Sequence, residues 1–335
     1  MRVLTMAPFD AKYLELIEQK VGTVVKGPQE EDYLIPGSQL IQLLKDELPT
    51  IVIIEINRIP TEVLLEATSL RVIAVCRSGV DNVDVEAATE RGILVINAPG
   101  RNAVAVAELI IAGMISIVRN LVKSVNLIKD HQWVDMVKTC YALEGVELAK
   151  RTAGIIGLGA IGKKVAKRLA AFEMRLLGYD QFVDHSAISE LGVELTSLEN
   201  LMKESDFVLL LASNTGKNQG MINAELLSLM KPDAYFVNMA RSILVDEEAL
   251  LRILREKKIA GAVLDVHSIE PLPFDSPWLS LDNVLLTPHI GGATREVITN
   301  HSQMITDDLI RFTNGERPLN LVNPQVWKIK SSNVN

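Results

Sequence analysis

Two cysteines, Cys76 and Cys140, stand in a chain of 335 residues. That is too few for a disulfide framework, so a reduced, cytoplasmic setting is expected. Positive charge is also short: 34 Lys and Arg against 42 Asp and Glu leave a formal charge of −8, with pI near 5.3. A phosphate-backbone binder clusters the opposite sign on one face, so nucleic acid is not an expected partner. No long apolar run lies in Met1–Asp10, and no secretory signal is expected. The most apolar window, Val104–Val118, contains Glu108 and is too short to span a bilayer, so no membrane association is expected. Histidine and cysteine never fall at ligand spacing and no Gly-x-Ser-x-Gly elbow occurs, which sets aside a metal centre and a serine nucleophile. No linker rich in Pro, Gly or Ser divides the chain, and no repeat appears.

What is present is a globular balance, 48% hydrophobic and 23% charged, in a length that fits about two domains. Strands are expected at Val3–Thr5, Thr23–Val25, Ile51–Ile56, Val72–Cys76 and Leu94–Ile96, with helices at 11–19, 38–45, 61–68 and 83–90. Residues 103–129 read as one or two helices. From Thr152 the alternation restarts, with strands at 153–156, 175–179, 207–211, 235–237, 262–264 and 284–286. Helices at 162–172, 197–204, 224–230 and 247–256 lie between them. Such alternation specifies βαβ units, so two doubly wound α/β domains with parallel sheets are expected. The polar tail Asn323–Asn335 is expected to fray.

The strongest motif is Gly157-x-Gly159-x-x-Gly162, placed after an apolar run and opening a helix. Gly157 permits the tight turn, Gly159 lets the backbone approach a pyrophosphate, and Gly162 lets the helix pack close to the strand. The helix N-terminus offers its free N–H groups to the anion. Ala160 and Ile161 of the same turn join the expected cofactor contacts. The second strand ends at Tyr179-Asp180, where a ribose-binding carboxylate belongs. Alone, Asp180 would be a solvated turn residue; the glycine turn gives it the ribose. Residues 181–184 contain no Arg or Lys for a 2′-phosphate, so the expected cofactor is NAD rather than NADP.

In open parallel sheets the ligand lies beyond the carboxyl ends of the strands. Arg241 follows the strand ending at Asn238, Asp265 follows Leu264, and His289 follows Pro288, while Glu270 precedes Pro271 on the Asp265 connection. Their chemistry suits hydride transfer to a 2-oxo acid. Arg241 can grip a carboxylate at two points. His289 can give a proton to the carbonyl oxygen and take it back. Glu270 beside the imidazole would favour its charged form and fix its orientation. Asp265, with Ala240, is expected near the nicotinamide end. Singly, each has a plainer reading: Arg241 as a helix cap, Glu270 as a surface residue, His289 as structural. Their joint placement beside a nucleotide turn favours the chemistry. His131, His185, His267 and His301 are expected to be surface or packing residues, although His267 borders Asp265.

These stretches resemble the D-isomer-specific 2-hydroxyacid dehydrogenase family over nearly the whole chain. The resemblance rests on Gly79–Asp84, Glu86–Gly92, Val104–Glu108, Ile156–Gly162, Met230–Pro232, Asn238–Arg241, Leu264–Val266, Glu270–Pro273 and Thr287–Thr294. It implies Arg241, Glu270 and His289 as the catalytic set, NAD as cofactor and a small 2-oxo or 2-hydroxy acid as substrate. It implies a Rossmann NAD-binding domain, residues 99–291, inserted into a flavodoxin-like substrate-binding lid domain of residues 1–98 and 292–335. Ser78 and Gly79 would present backbone N–H groups to the substrate carboxylate, together with Arg241. A helix beginning near Asn102 would pack across a twofold, giving a homodimer or a dimer of dimers. The chain departs from the pattern at Leu211–Asn214, where a His or Cys followed by x-Pro is usual, and at Ser242, where Gly is usual. Phosphoglycerate dehydrogenases often carry an Arg where Glu55 stands, and Glu55 is expected to repel a phosphorylated substrate unless a slip in register lets Arg58 compensate. Phosphoglycerate, glyoxylate, hydroxypyruvate and branched 2-oxo acids are all candidates. The alternative function is a non-catalytic NAD-sensing scaffold, since corepressors use the same fold.

Overall fold

Ile51-Val52-Ile53-Ile54 sets four β-branched residues in a row, a pattern suited to a strand covered on both faces, and all four are fully buried. The structure is a computed structural model and describes residues 1–28 and 34–327. The chain divides into two units, Met1–Arg101 with Thr294–Asn335, and Asn102–Ala293.

The first unit begins β1 (Arg2–Thr5), α1 (Ala11–Lys20), β2 (Thr23–Lys26), α2 (Gly37–Glu47), β3 (Ile51–Ile54), α3 (Thr61–Glu66), β4 (Val72–Val75), α4 (Val85–Glu90) and β5 (Leu94–Asn97). Its strands are parallel in the flavodoxin-like order β2-β1-β3-β4-β5. Polar caps set helix starts here: Asp84 accepts from the N–H of Ala87 at 3.0 Å and opens α4.

The second unit opens with α5 (Ala103–Val118), α6 (Leu121–Lys129) and α7 (Met136–Ala142). It continues through β6 (Thr152–Ile156), α8 (Ala160–Ala171), β7 (Arg175–Tyr179), α9 (His185–Ser189), β8 (Val193–Leu195), α10 (Leu198–Glu204) and β9 (Phe207–Leu210). Then come α11 (Ala224–Ser228), β10 (Tyr235–Asn238), α12 (Glu247–Arg255), β11 (Gly261–Leu264) and β12 (Val284–Leu286). The parallel order is β12-β11-β10-β9-β6-β7-β8, which reverses between β6 and β9. Successive residues of β10 feed opposite faces: Phe236 joins the core with Leu264 and Trp278, and Val237 joins the core with Phe207 and Ile110.

The apolar stretch from Ala103 breaks at Asn120, whose φ of 51° lies in the left-handed region that Asn tolerates. Helix α5 buries Val106, Ala107, Ile110 and Met114 in its own unit, whereas α6 and α7 bury none of their residues. Among the described residues no single helix is long and apolar enough to cross a membrane.

The longest helix, α13 (Arg295–Thr313), returns the chain to the first unit, where Ile305 and Leu309 join Val3 and Ile17 in one core. It was not expected from sequence. His301, Ser302, Thr306 and Asp308 are fully buried on it, and polar residues on the core face conceal the helical period. The expected fraying of the tail is corrected for its first residues. Asn323 accepts from the N–H of Val95 at 2.8 Å and donates to the carbonyl of Ile93 at 2.9 Å, and Val326 is 1% exposed. Residues 328–335 lie outside the described part.

Candidate active site

Every strand of the second unit's sheet ends in a loop on one edge, so strand order sets the order of side chains along that rim. His289 follows β12, Asp265 follows β11, Arg241 follows β10, Leu211–Asn214 follow β9, the glycine turn follows β6 and Asp180 follows β7. Neighbouring strands are about 4.8 Å apart, which gathers residues remote in sequence onto one edge.

The glycine turn needs its glycines for different reasons. Gly157 adopts a φ of 97°, and a Cβ there would lie 2.6 Å from the nitrogen of Ala212. At Gly162 a Cβ would lie 2.1 Å from the carbonyl oxygen of Gly157, so α8 can approach only a bare Cα. At Gly159 a Cβ would meet nothing within 4 Å, so that glycine leaves space that faces no protein atom. No side chain caps α8, and the first N–H groups around Ala160 and Ile161 stay available to an anion. Asp180 accepts from the N–H of Leu158 at 2.7 Å and of Phe182 at 2.8 Å. Two backbone donors thus aim its carboxylate at the turn, with lone pairs left for ribose hydroxyls. This cradle fits a dinucleotide.

Asn238 shapes the neighbouring turn: its Oδ1 accepts from the N–H of Ala240 at 3.0 Å and its Nδ2 donates to the carbonyl of Arg241 at 3.2 Å. Arg241 Nη1 donates to the carbonyl of Ala240 at 2.7 Å, using one of the five guanidinium donors.

Glu270 and His289 form a pair. His289 Nδ1 donates to Glu270 Oε2 at 2.8 Å, and Glu270 Oε1 accepts from the N–H of His267 at 3.0 Å. Partial burial pushes the Glu270 carboxyl up, but these two hydrogen bonds and the imidazole charges outweigh it and hold the group below the usual carboxylate range. An ionised carboxylate only accepts, which assigns the proton to Nδ1 and leaves Nε2 for a substrate. The side chains are 43% and 37% exposed and border a cavity of about 510 Å³. Its other walls include Pro271, Leu272, Leu279, Leu286 and Pro288, and no Lys or Arg among the described residues.

Asp265 stands just beyond β11 on this rim. It is 2% exposed, and its carboxylate accepts from Thr287 Oγ1 at 2.6 Å and from the N–H groups of Ile290 at 2.9 Å and Gly291 at 2.8 Å. His267, expected to be a surface or packing residue, lines the cavity, and its Nε2 donates to the carbonyl of Thr287 at 2.9 Å.

In the first unit, Ser78 lies in the loop after β4. Its hydroxyl donates to the carbonyl of Ala98 at 3.3 Å and accepts from the N–H of Gly100 at 3.1 Å, and its carbonyl accepts from Asn97 Nδ2 at 2.6 Å. These bonds hold the backbone leading into Gly79. Glu55 does not present a bare charge: Arg101 Nη2 lies 2.7 Å from its Oε1, with both side chains largely buried. His301 is fully buried between Arg101 Nη1 at 2.6 Å and the carbonyl of Pro8 at 2.8 Å, a packing role. His131 is exposed, and the His185 side chain lies outside the described part.

Comparison with known proteins matches this edge. The D-isomer specific 2-hydroxyacid dehydrogenase, NAD binding domain, family matches residues 111–291. The chain is 41% identical to a glyoxylate reductase of Pyrococcus furiosus over 91% of each protein. It is 36% identical to a D-3-phosphoglycerate dehydrogenase of Methanocaldococcus jannaschii over 96% of this chain and 59% of that protein. Among solved structures, a D-lactate dehydrogenase of Aquifex aeolicus complexed with NAD and lactic acid superposes with a TM-score of 0.77 at 26% identity, over 96% of this chain and 99% of that one. The glycine turn, the strand-end residues and these likenesses agree: the chain belongs to the D-isomer specific 2-hydroxyacid dehydrogenases, NAD-dependent oxidoreductases of 2-hydroxy and 2-oxo acids.

Proposed function

We propose that the protein interconverts an unphosphorylated 2-oxo acid and its D-2-hydroxy acid, with Arg241, Glu270 and His289 carrying the chemistry. The observation that carries this reading is the 2.8 Å bond between His289 Nδ1 and Glu270 Oε2, on the rim shared with the uncapped start of α8. Bound along that turn, with Asp180 at its ribose, NAD supplies or accepts the hydride at C2 of the acid. Arg241 grips the substrate carboxylate and orients the carbonyl. His289 Nε2 delivers the proton to the carbonyl oxygen in reduction and removes it in oxidation, while Glu270 favours the protonated ring.

One feature supports an unphosphorylated substrate: among the described residues, no Lys or Arg lines the cavity beside the pair. Relatives named glyoxylate reductase point the same way. A second copy of the chain is proposed as the partner, because α6, α7 and the link between them leave Leu121, Ile128, Trp133, Met136 and Tyr141 exposed. The acidic charge speaks against a nucleic-acid partner.

The test is NADH oxidation with glyoxylate, hydroxypyruvate, 4-methyl-2-oxopentanoate and 3-phosphohydroxypyruvate. At least one unphosphorylated acid is expected to exceed the phosphorylated one in kcat/KM by about tenfold or more. A preference for 3-phosphohydroxypyruvate would overturn the substrate class. Absence of turnover on every 2-oxo acid would restore the scaffold alternative.

A further inference from the structure

Asn238 is the last residue of β10 and is 3% exposed. It stands in register with Leu264 of β11 on one side and Leu210 of β9 on the other. The sheet therefore fixes its backbone from both flanks. Its carbonyl accepts from the N–H of Asp265 at 3.1 Å, and the N–H of Met239 donates to the carbonyl of Leu210 at 3.4 Å. The strand ends there, and Arg241 lies three residues further on.

A buried amide must find partners for both its oxygen and its NH2 group. The Asn238 side chain finds them in the segment that leaves the sheet: Oδ1 accepts from the N–H of Ala240 at 3.0 Å, and Nδ2 donates to the carbonyl of Arg241 at 3.2 Å. One bond needs an acceptor and the other a donor, so both ends of the amide are specified. Downstream, the N–H of Ile222 donates to the carbonyl of Leu244 at 3.0 Å and the N–H of Asp246 to the carbonyl of Ile222 at 2.9 Å. Arg241 stands between these two anchors in an extended conformation, with φ −145° and ψ 144°. Its guanidinium folds back onto the Ala240 carbonyl at 2.7 Å. The backbone that Asn238 holds thus carries both the root of the guanidinium stem and a hydrogen-bond partner of its head.

We propose that Asn238 is a positioning residue that carries the register of β10 to the guanidinium of Arg241. A long arginine stem has much rotamer freedom to lose, and a two-point grip on a carboxylate tolerates little misplacement. Asn238 supplies the constraint from the sheet side and acts through Arg241. The inference rests on the reading of Arg241 as the substrate grip.

The experiment makes Asn238→Asp in the parent and in an Arg241→Ala background. The substitution keeps the size of the side chain and the acceptor for the Ala240 N–H, but offers the Arg241 carbonyl an oxygen in place of a donor. Three quantities are read: kcat/KM for the preferred 2-oxo acid, the inhibition constant of oxamate (an unreactive 2-oxo acid mimic) at saturating NADH, and the NADH dissociation constant by nucleotide fluorescence. In the parent, kcat/KM and oxamate affinity are expected to fall about tenfold or more, with NADH affinity within about threefold. In the Arg241→Ala background the same change should cost less than about threefold in kcat/KM, since the side chain it positions is gone. Unchanged oxamate affinity, NADH affinity weakening in step with it, or an undiminished loss in the Arg241→Ala background would overturn the role of Asn238. Full activity of Arg241→Ala alone would instead refute the substrate-grip reading. If Asn238→Asp fails to fold, Asn238→Ser, a shorter uncharged side chain that can still accept from the Ala240 N–H, supplies the same comparison.

Discussion

Replacing Glu270 by Gln keeps the shape of the side chain and removes its charge, so it isolates what the carboxylate does for His289. With Nδ1 and Oε2 2.8 Å apart, the charge centres of the pair lie about 4 Å apart, worth about 1 kcal/mol in a water-like medium and about 4 kcal/mol at an effective dielectric of 20. The side chains are 43% and 37% exposed, so solvent screening places the interaction near the lower figure, about 1–2 kcal/mol. The sign follows from protonation. Reduction needs His289 protonated, and the carboxylate favours that form, so its loss moves the alkaline limb of the reductive kcat/KM profile to lower pH. Oxidation needs the ring neutral, and the acidic limb of that profile moves in the same direction. Glu270 itself is held below the usual carboxylate range, so its charge is lost only as pH falls through that lowered value and persists across both limbs. The assay is kcat/KM against pH in both directions for parent and variant, at low and high salt. Added salt should narrow the gap between them. A uniform drop in rate with both limbs unmoved would refute the pairing.

The remaining predictions concern the nucleotide turn, the substrate grip and the assembly. Gly162→Ala forces a Cβ against the Gly157 carbonyl, so Tm should fall by about 3–10 °C and KM for NAD should rise, measured by thermal melt and kinetics. An unchanged melt and KM would contradict the close approach of α8. Arg241→Lys keeps the charge but loses two-point geometry, and kcat/KM should drop about 10²-fold or more while NAD affinity holds. NAD should exceed NADP by about tenfold or more in kcat/KM, and Asp180→Ala should narrow that ratio; equal use by the parent would remove Asp180 from the ribose. Light scattering should give a mass of two chains or an even multiple, and a monomer at micromolar concentration would refute the role of the exposed α6 and α7 surface.

Much of this protein is legible without coordinates because its signals are short-range. The buried strands β3, β4 and β9 declare themselves as unbroken apolar runs, since a parallel sheet covered on both faces has no polar side to alternate with. The spacing of Gly157, Gly159 and Gly162 declares a turn because backbone geometry there depends on a handful of adjacent residues. Placing Arg241, Asp265 and His289 after successive strands needed only the rule that sites lie beyond carboxyl ends. Other features are long-range. Helix α13 is not legible locally because its core face carries His301, Ser302, Thr306 and Asp308; His301 meets Arg101 and Pro8, and Asp308 meets Leu319 and Asn320, all elsewhere in the chain. The three-residue β8 is too short for any period. Local pattern put Asp265 at the right edge of the sheet, but only tertiary structure shows its three hydrogen bonds meeting the His289 loop. The same holds for Glu55, whose charge reads as repulsive in sequence and is neutralised by Arg101 in the fold. Apolar periodicity and turn chemistry are properties of neighbouring residues. The partner of a buried polar group is chosen by which distant strands and loops the sheet brings together.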